Sequence, residues 1–430
     1  MRILLVNKFH YHKGGAETYY LTLGERLESM GHEVAYFSML HPDNIPCAQE
    51  RYFVTQREYN NIHNPLKAVR DGLALVYSPE AMHKFEALCE EFQPDVVHLN
   101  NVHRQITLSI LDAAYLREHK VPVVYTAHDY VTVCPGYLML DGEGAVCDAC
   151  LKDGRYRHCA ERRCVKGSRA KSCLAAIEAA FNRAHHSNYK IDAVIAPSRY
   201  MVNKLIEGGW PKNKVHYMQN FVSERILEEA AQTYDATSLQ RPYLLFFGRL
   251  SAEKGVDVLI RAFEAALPKL SNDLRLVIAG DGPERDNLET LAGDNPRIEF
   301  VGFKSGEELQ RLVSGAAFAV TPSVFRENMP YSIVEALAEG TPVVGTSIGG
   351  IPELVQEGET GLLAEPGDIE SLANAIIKAE TTSDDKSTYR VMQERCRSYV
   401  LNNCAQLPYI NRLIRLYNGL IMEKLTQESC

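Results

Sequence analysis

Short apolar runs rich in β-branched residues alternate with stretches of helical period along the whole chain. That alternation restricts the fold to α/β with largely parallel sheets, because parallel strands need a crossover helix and are buried on both faces. Residues 2–7 (RILLVN) read as a buried strand, 16–30 as a helix closed by Gly31, and 33–38 as the next strand, which together make a βαβ unit. Runs at 95–99 (DVVHL), 122–126 (PVVYT) and 192–196 (DAVIA) extend the same sheet. The pattern loosens over 223–240 and ends at Arg241-Pro242, where the residue before proline is pushed out of helix, so a linker is predicted there. It restarts with strands at 243–247, 274–279, 297–301, 317–321 and 342–345. The expected fold is α/β with two facing Rossmann-like doubly wound domains, 1–222 and 241–405, and a ligand site in the inter-domain cleft. The final segment, 406–430, has apolar positions Leu413, Ile414, Leu416, Tyr417 and Ile421 that make an amphipathic helix in need of a partner.

Length agrees with that division: 430 residues at about 150 per domain give two or three compact units. The formal net charge of −9 argues against a surface built for nucleic acid, so no nucleic-acid partner is expected. The first apolar stretch is too short for the core of a secretory signal, and no segment reaches the roughly 18 to 20 apolar residues of a membrane helix, so a cytoplasmic protein is expected.

Three motifs carry chemistry, all in the second half. Gly248 and Arg249 close the 243–247 strand and Lys254 stands near the start of the next helix. Two cations and a helix N-terminus at one strand end suit a diphosphate, although a surface Arg and Lys flanking a turn would look the same. Gly280-Asp-Gly-Pro283 repeats the design one strand later, and alone is only a good turn. The third motif is Glu327-Asn-Met-Pro-Tyr-Ser-Ile-Val-Glu335, followed by a Gly349-Gly350 pair. Pro330 can begin a helix that carries Glu335, leaving Glu327 in the preceding loop, so the two carboxylates stand on the order of 10 Å apart. That spans a sugar and a ribose, with the amides of 329–332 between them for phosphates.

These residues together resemble the retaining GT-B glycosyltransferases of family 4, also described as glycosyl transferases group 1. The Lys13-Gly14-Gly15-Ala-Glu17 loop, His128-Asp129 and Ala196-Pro-Ser198 are similar to the first domain of that family, so the likeness runs nearly end to end. The resemblance implies a sugar passed from a nucleotide-diphosphate sugar, UDP- or GDP-linked, to a glycan or lipid-linked acceptor in surface polysaccharide synthesis. Arg249 and Lys254 would bind the donor diphosphate, Glu327 the transferred sugar and Glu335 the ribose. Gly15, Gly248, Gly280, Asn328, Met329 and Pro330 would line the donor site. His128 would face the sugar from the first domain, and the 406–430 helix would cross back to that domain. No metal or other cofactor is implied for the chemical step. No carboxylate is placed as a nucleophile, which favours front-face attack with Arg249 and Lys254 stabilising the leaving diphosphate. Two departures stand out: Asn220-Phe221 where the family has Asn-Gly, and Asn328 where a glycine is common. Two other readings remain open: a nucleotide-sugar epimerase on the same fold, and a non-catalytic binding protein.

The binding reading would use the insertion 134–173, which carries Cys134, Cys147, Cys150, Cys159, Cys164 and Cys173 and shows no strand or long helix signal. Cys147-Asp-Ala-Cys150 has the gap of a metal knuckle, and Cys159 with Cys164 offers a looser pair, so these four are expected to hold a structural zinc. The insertion is also basic, from Lys152 through Lys171, which suits an anionic lipid carrier or a peripheral contact with the inner face of a membrane.

Overall fold

The computed structural model of the chain describes residues 1–57, 72–233 and 243–426. It divides into two units, Met1–Met218 with Leu407–Cys430 and Gln219–Gln406.

The first unit holds a six-stranded parallel sheet in the order β2-β1-β3-β4-β5-β6, made of β1 (Arg2–Val6), β2 (Glu33–Phe37), β3 (Val96–Leu99), β4 (Val123–Thr126), β5 (Ala193–Ala196) and β6 (Val215–Tyr217). β3, β4 and β5 are buried at every position, as unbroken apolar runs covered on both faces must be. β6 is half-buried throughout and pairs with β5 alone, an edge strand too short for periodicity to reveal.

The helix Gln406–Thr426 belongs to this unit and buries Ile410, Leu413 and Tyr417. A hydrogen-bonded chain pins it to the sheet: the Tyr409 hydroxyl meets that of Tyr19 at 2.6 Å, Tyr19 meets Thr126 Oγ1 at 3.3 Å, and Thr126 Oγ1 meets His98 Nε2 at 2.7 Å. His98 Nδ1 closes the chain on the Tyr417 hydroxyl. Burial holds His98 neutral, its pKa pulled down to about 3.

The second unit has a parallel sheet in the order β12-β11-β10-β7-β8-β9. Its strands are β7 (Tyr243–Phe247), β8 (Arg275–Ala279), β9 (Ile298–Gly302), β10 (Phe318–Thr321), β11 (Val343–Thr346) and β12 (Gly361–Ala364). The stretch expected to be a loose linker instead forms helix Glu224–Thr233, with Ile226 and Leu227 packed on this unit's core; 234–242 lie outside the described residues. The chain enters and leaves this unit side by side, since Val222 pairs with Ala405 and donates its N–H to the Cys404 carbonyl at 3.0 Å.

The insertion also differs from expectation. It holds helices Ala149–Asp153 and Arg157–Glu161, and Cys173 lies on a longer helix, Arg169–Ala184. Ser168 caps that helix by accepting from the Lys171 N–H, and its alanine content supplies the propensity.

Tyr417→Phe should cost roughly 1–3 kcal/mol, because it leaves the buried His98 Nδ1 without its partner. Tyr417→Ala should cost about 3–5 kcal/mol through the cavity it opens. Urea unfolding read from the first unit checks both, and a Tyr417→Phe variant as stable as the parent would show that the hydroxyl contributes nothing.

Candidate functional site

In each unit the strand order reverses at one point, between β1 and β3 in the first and between β7 and β10 in the second. At such a point the crossover connections leave in opposite directions, which opens a crevice at the carboxyl ends of the strands. The residues singled out from the sequence gather at these ends.

In the second unit Gly248 and Arg249 follow β7, Gly280 follows β8, Glu327 sits in the loop after β10, and Gly349-Gly350 follow β11. The loops fit closely because they carry glycine. Gly280 has φ +156, and a Cβ there would stand 1.9 Å from the Gly248 carbonyl oxygen. Gly349 has φ +61, and a Cβ there would stand 2.3 Å from the Glu327 carbonyl oxygen, which accepts the Gly350 N–H at 2.7 Å. The glycine pair therefore positions Glu327 through its backbone.

The Glu327 carboxylate accepts from Lys254 Nζ at 2.6 Å and Ser323 Oγ at 2.9 Å. The family resemblance gave Lys254 to the donor diphosphate and Glu327 to the adjoining sugar; the structure joins the two as an ion pair, and Ser323 was not foreseen. Arg249, two residues past the end of β7, is exposed. Asn328 and Met329 are buried, and Met329 Sδ accepts the Asn220 N–H at 3.0 Å, so the departures at Asn220 and Asn328 lie in one packed region. Helix Tyr331–Glu339 starts directly after Pro330, as predicted, and carries Glu335. Burial pushes Glu335 up to about 7, and the Glu339 carboxylate adds to the shift. Pro283 lies two residues ahead of helix Arg285–Ala292 and not within its first turn.

In the first unit Gly15 opens helix Gly15–Ser29 at an exposed N-terminus. His128 follows β4, and its Nε2 meets Asn100 Oδ1 at 2.9 Å; its sequence neighbour Asp129 turns instead to the Val131 N–H at 2.9 Å. Burial lowers the His128 pKa to about 3, so the imidazole is neutral at physiological pH.

Sequence reading missed a buried charged group at the β1/β3 reversal. Lys8 follows β1, Arg104 follows β3, and Glu178 reaches them from helix Arg169–Ala184. Arg104 Nε stands 3.6 Å from Glu178 Oε2, its N–H donates to Glu178 Oε1 at 3.3 Å, and its Nη2 donates to the Pro135 carbonyl at 2.9 Å. These contacts hold Arg104 at φ +72, a costly conformation for a side chain of that size. Burial raises Glu178 to about 7 despite Arg104, raises Asp129, and lowers Lys8. The available signal was a lysine directly after a strand; nothing in the sequence marks Glu178 as its neighbour.

All ten described cysteines are free thiols. Cys150 and Cys159 are buried in a small apolar cluster with Val165 and Ala175, flanked by Cys164. A thiol hydrogen bond between Cys159 and Cys164 pushes the Cys159 pKa up and pulls that of Cys164 down. Cys147 Sγ accepts from Arg162 Nη1 at 3.4 Å. Among the described residues no three His, Cys, Asp or Glu side chains are placed to hold a metal ion.

Glu335 gives the site a measurable pH signature. Its folded pKa of about 7 lies above the ordinary 4.5, so between those values the folded chain keeps a proton that the unfolded chain has released. The associated stability is full below about pH 4.5 and is lost as the pH rises through 7. Glu335→Gln should therefore raise the thermal midpoint by a few degrees above pH 7 and leave it nearly unchanged near pH 4.5. Equal shifts at both pH values would contradict the assignment.

Residues 241–381 match the family model described as Glycosyl transferases group 1, and residues 13–225 match Glycosyltransferase Family 4. An uncharacterized glycosyltransferase of Methanocaldococcus jannaschii is 40% identical over 172 residues, covering 39% of this chain and 40% of that one. The chain spans 40%, 50%, 30% and 61% of the first four curated relatives it matches. Among solved structures, sucrose-phosphate synthase from Thermosynechococcus elongatus superposes with a TM-score of 0.67 at 19% identity, covering 98% of this chain and 99% of that one. The Anabaena protein HepE, solved in complex with UDP and glucose, gives 0.62 at 18% identity over 97% and 99%. The chain thus has the GT-B fold, two Rossmann-like domains, and its two halves match glycosyltransferase family models.

Proposed function

We propose that this protein is a retaining glycosyltransferase that moves a sugar from a nucleotide-diphosphate sugar to a glycan or lipid-linked acceptor. The observation that carries the reading is the placement of Arg249, the Lys254–Glu327 pair and the start of helix Tyr331–Glu339 at the carboxyl ends of β7 and β10, where the strand order reverses. Cations and helix amides suit a diphosphate there, and the carboxylates suit sugar hydroxyls. HepE, solved with UDP and glucose on the same fold, supports the donor class.

In the reaction the bond from the anomeric carbon to the diphosphate oxygen breaks, and its electron pair leaves with the diphosphate. The acceptor hydroxyl attacks from the same face and passes its proton to that leaving oxygen. Arg249 and Lys254 stabilise the charge that builds there, while Glu327 orients the sugar. Lys254 and Glu327 hold each other in place, so both functions are pre-organised by one contact 27% and 8% exposed at its two side chains.

Thermal-shift screening against a nucleotide-sugar panel identifies the donor, since a ligand of the folded state raises its midpoint. With that donor, Glu327→Ala should abolish transfer and largely spare nucleotide affinity, while Glu335→Ala weakens nucleotide binding by roughly tenfold or more. Equal loss of affinity in both, with transfer intact at saturating donor, would refute the assignment. Arg249→Ala and Lys254→Ala should each lower turnover by roughly a hundredfold, beyond any loss of ground-state binding. Unchanged turnover at saturating donor would count against leaving-group stabilisation, and an inverted product anomer would exclude the retaining reading.

A further inference from the structure

Helix Arg157–Glu161 ends in a way that brings two thiols together. Arg163 takes the left-handed conformation, φ +52; the Cys164 N–H then donates to the Cys159 carbonyl at 3.1 Å, and the Arg163 N–H to the Ala160 carbonyl at 3.4 Å. These two bonds are the Schellman closure of a helix end, which sets the side chain of its first residue against that of its sixth. Those residues here are Cys159 and Cys164, and their thiols share a hydrogen bond. A neighbouring loop braces the corner: the Gly142 N–H donates to the Arg162 carbonyl at 2.8 Å, and a Cβ on Gly142 would stand 2.5 Å from that oxygen. The closure is therefore fixed from outside as well as by its own bonds.

A disulfide needs Cα atoms roughly 4.4–6.8 Å apart with their Cβ atoms facing each other. Two residues joined by one backbone hydrogen bond, with their sulfurs already in contact, meet that need without moving the helix. The pair is also unequal. Cys159 is 1% exposed in the apolar cluster with Cys150, Val165 and Ala175, whereas Cys164 lies at the flank of that cluster and is partly exposed. Nearby thiols are engaged elsewhere: Cys134 by the backbone N–H groups of Gly136 and Met139, and Cys147 by Arg162 Nη1 at 3.4 Å. We propose that Cys159 and Cys164 form a site of reversible oxidation, closed to a disulfide by hydrogen peroxide. The Cys164 sulfur attacks one peroxide oxygen and the O–O bond breaks, leaving a sulfenic acid and a water that takes the thiol proton. The Cys159 sulfur then attacks that of Cys164, the S–O bond breaks, and the departing hydroxide takes the Cys159 proton as a second water. The two thiols lose two electrons and the peroxide gains them. This chemistry needs neither donor sugar nor acceptor, so it stands apart from the transferase reading.

Peroxide treatment of the native full chain, followed by alkylation and digestion with trypsin, tests the proposal. Trypsin cuts after Arg162 and Arg163, so peptides 158–162 and 164–166 stay joined only through a disulfide. Joined peptides that a dithiol reductant separates are expected, together with the loss of two titratable thiols per chain. Cys159→Ser should leave the Cys164 sulfenic acid open to trapping by dimedone. Cys164→Ser should abolish the link and leave Cys159 untrapped, because that thiol is buried. Cys134→Ser should leave the link in place. Where a serine at 159 lowers the thermal midpoint, Cys159→Ala keeps the small apolar volume and gives the same trapping readout. Both thiols still free after peroxide, Cys164 joined instead to Cys134, Cys147 or Cys150, or a link that forms only in urea would overturn the proposal. So would a zinc ion that copurifies with the chain and shields both thiols from peroxide until a chelator removes it.

Discussion

A parallel sheet sends every strand's carboxyl end to the same edge, and the candidate site of this protein depends on what happens there when the strand order reverses. Between β7 and β10 the connections diverge, and the loops that remain must pack backbone on backbone. Gly280 lies against the Gly248 carbonyl and Gly349 against that of Glu327, contacts that no residue with a Cβ could make without displacing the loop. Those contacts fix Glu327, and through it Lys254.

The two units handle charge at their reversals differently. In the second, one half-buried pair is satisfied by short bonds from Lys254 and Ser323, while Glu335 is left desolvated with Glu339 as a like-charged neighbour. A carboxylate held that way costs stability, which is tolerable where a ligand's hydroxyls can supply its missing partners. In the first, Arg104 is locked by Glu178 of helix Arg169–Ala184 and by the Pro135 carbonyl of the insertion. Helix Arg169–Ala184, which follows on from the insertion, is therefore more than a surface appendage, since one side of it completes the buried charge group while the other presents Ile177 and a basic field.

Much of the fold was legible because buried parallel strands are written as unbroken apolar runs; β3, β4 and β10 are buried at every position and were found within a residue of their ends. The edge strands β6 and β12 were not found, one being half-buried and three residues long and the other beginning at a glycine. Helix Glu224–Thr233 was hidden by a polar composition that periodicity alone did not separate from a linker. The thiol spacing left the surroundings of these cysteines open; the fold gathers Cys150 and Cys159 with Val165 and Ala175, flanked by Cys164.

The sequence by itself determined the two Rossmann-like sheets, the motifs at their strand ends and the helix that Pro330 precedes, because these follow from local period, backbone freedom and spacing. Only the tertiary structure decided the partners. Lys254 with Glu327, Arg104 with Glu178, His128 with Asn100 and Tyr417 with His98 are pairs remote in the chain, joined where separate loops or helices converge. The same convergence removes water from these groups and so sets which are charged, as it does for neutral His128 and for Glu335 near pH 7, a property that no residue carries in its own side chain.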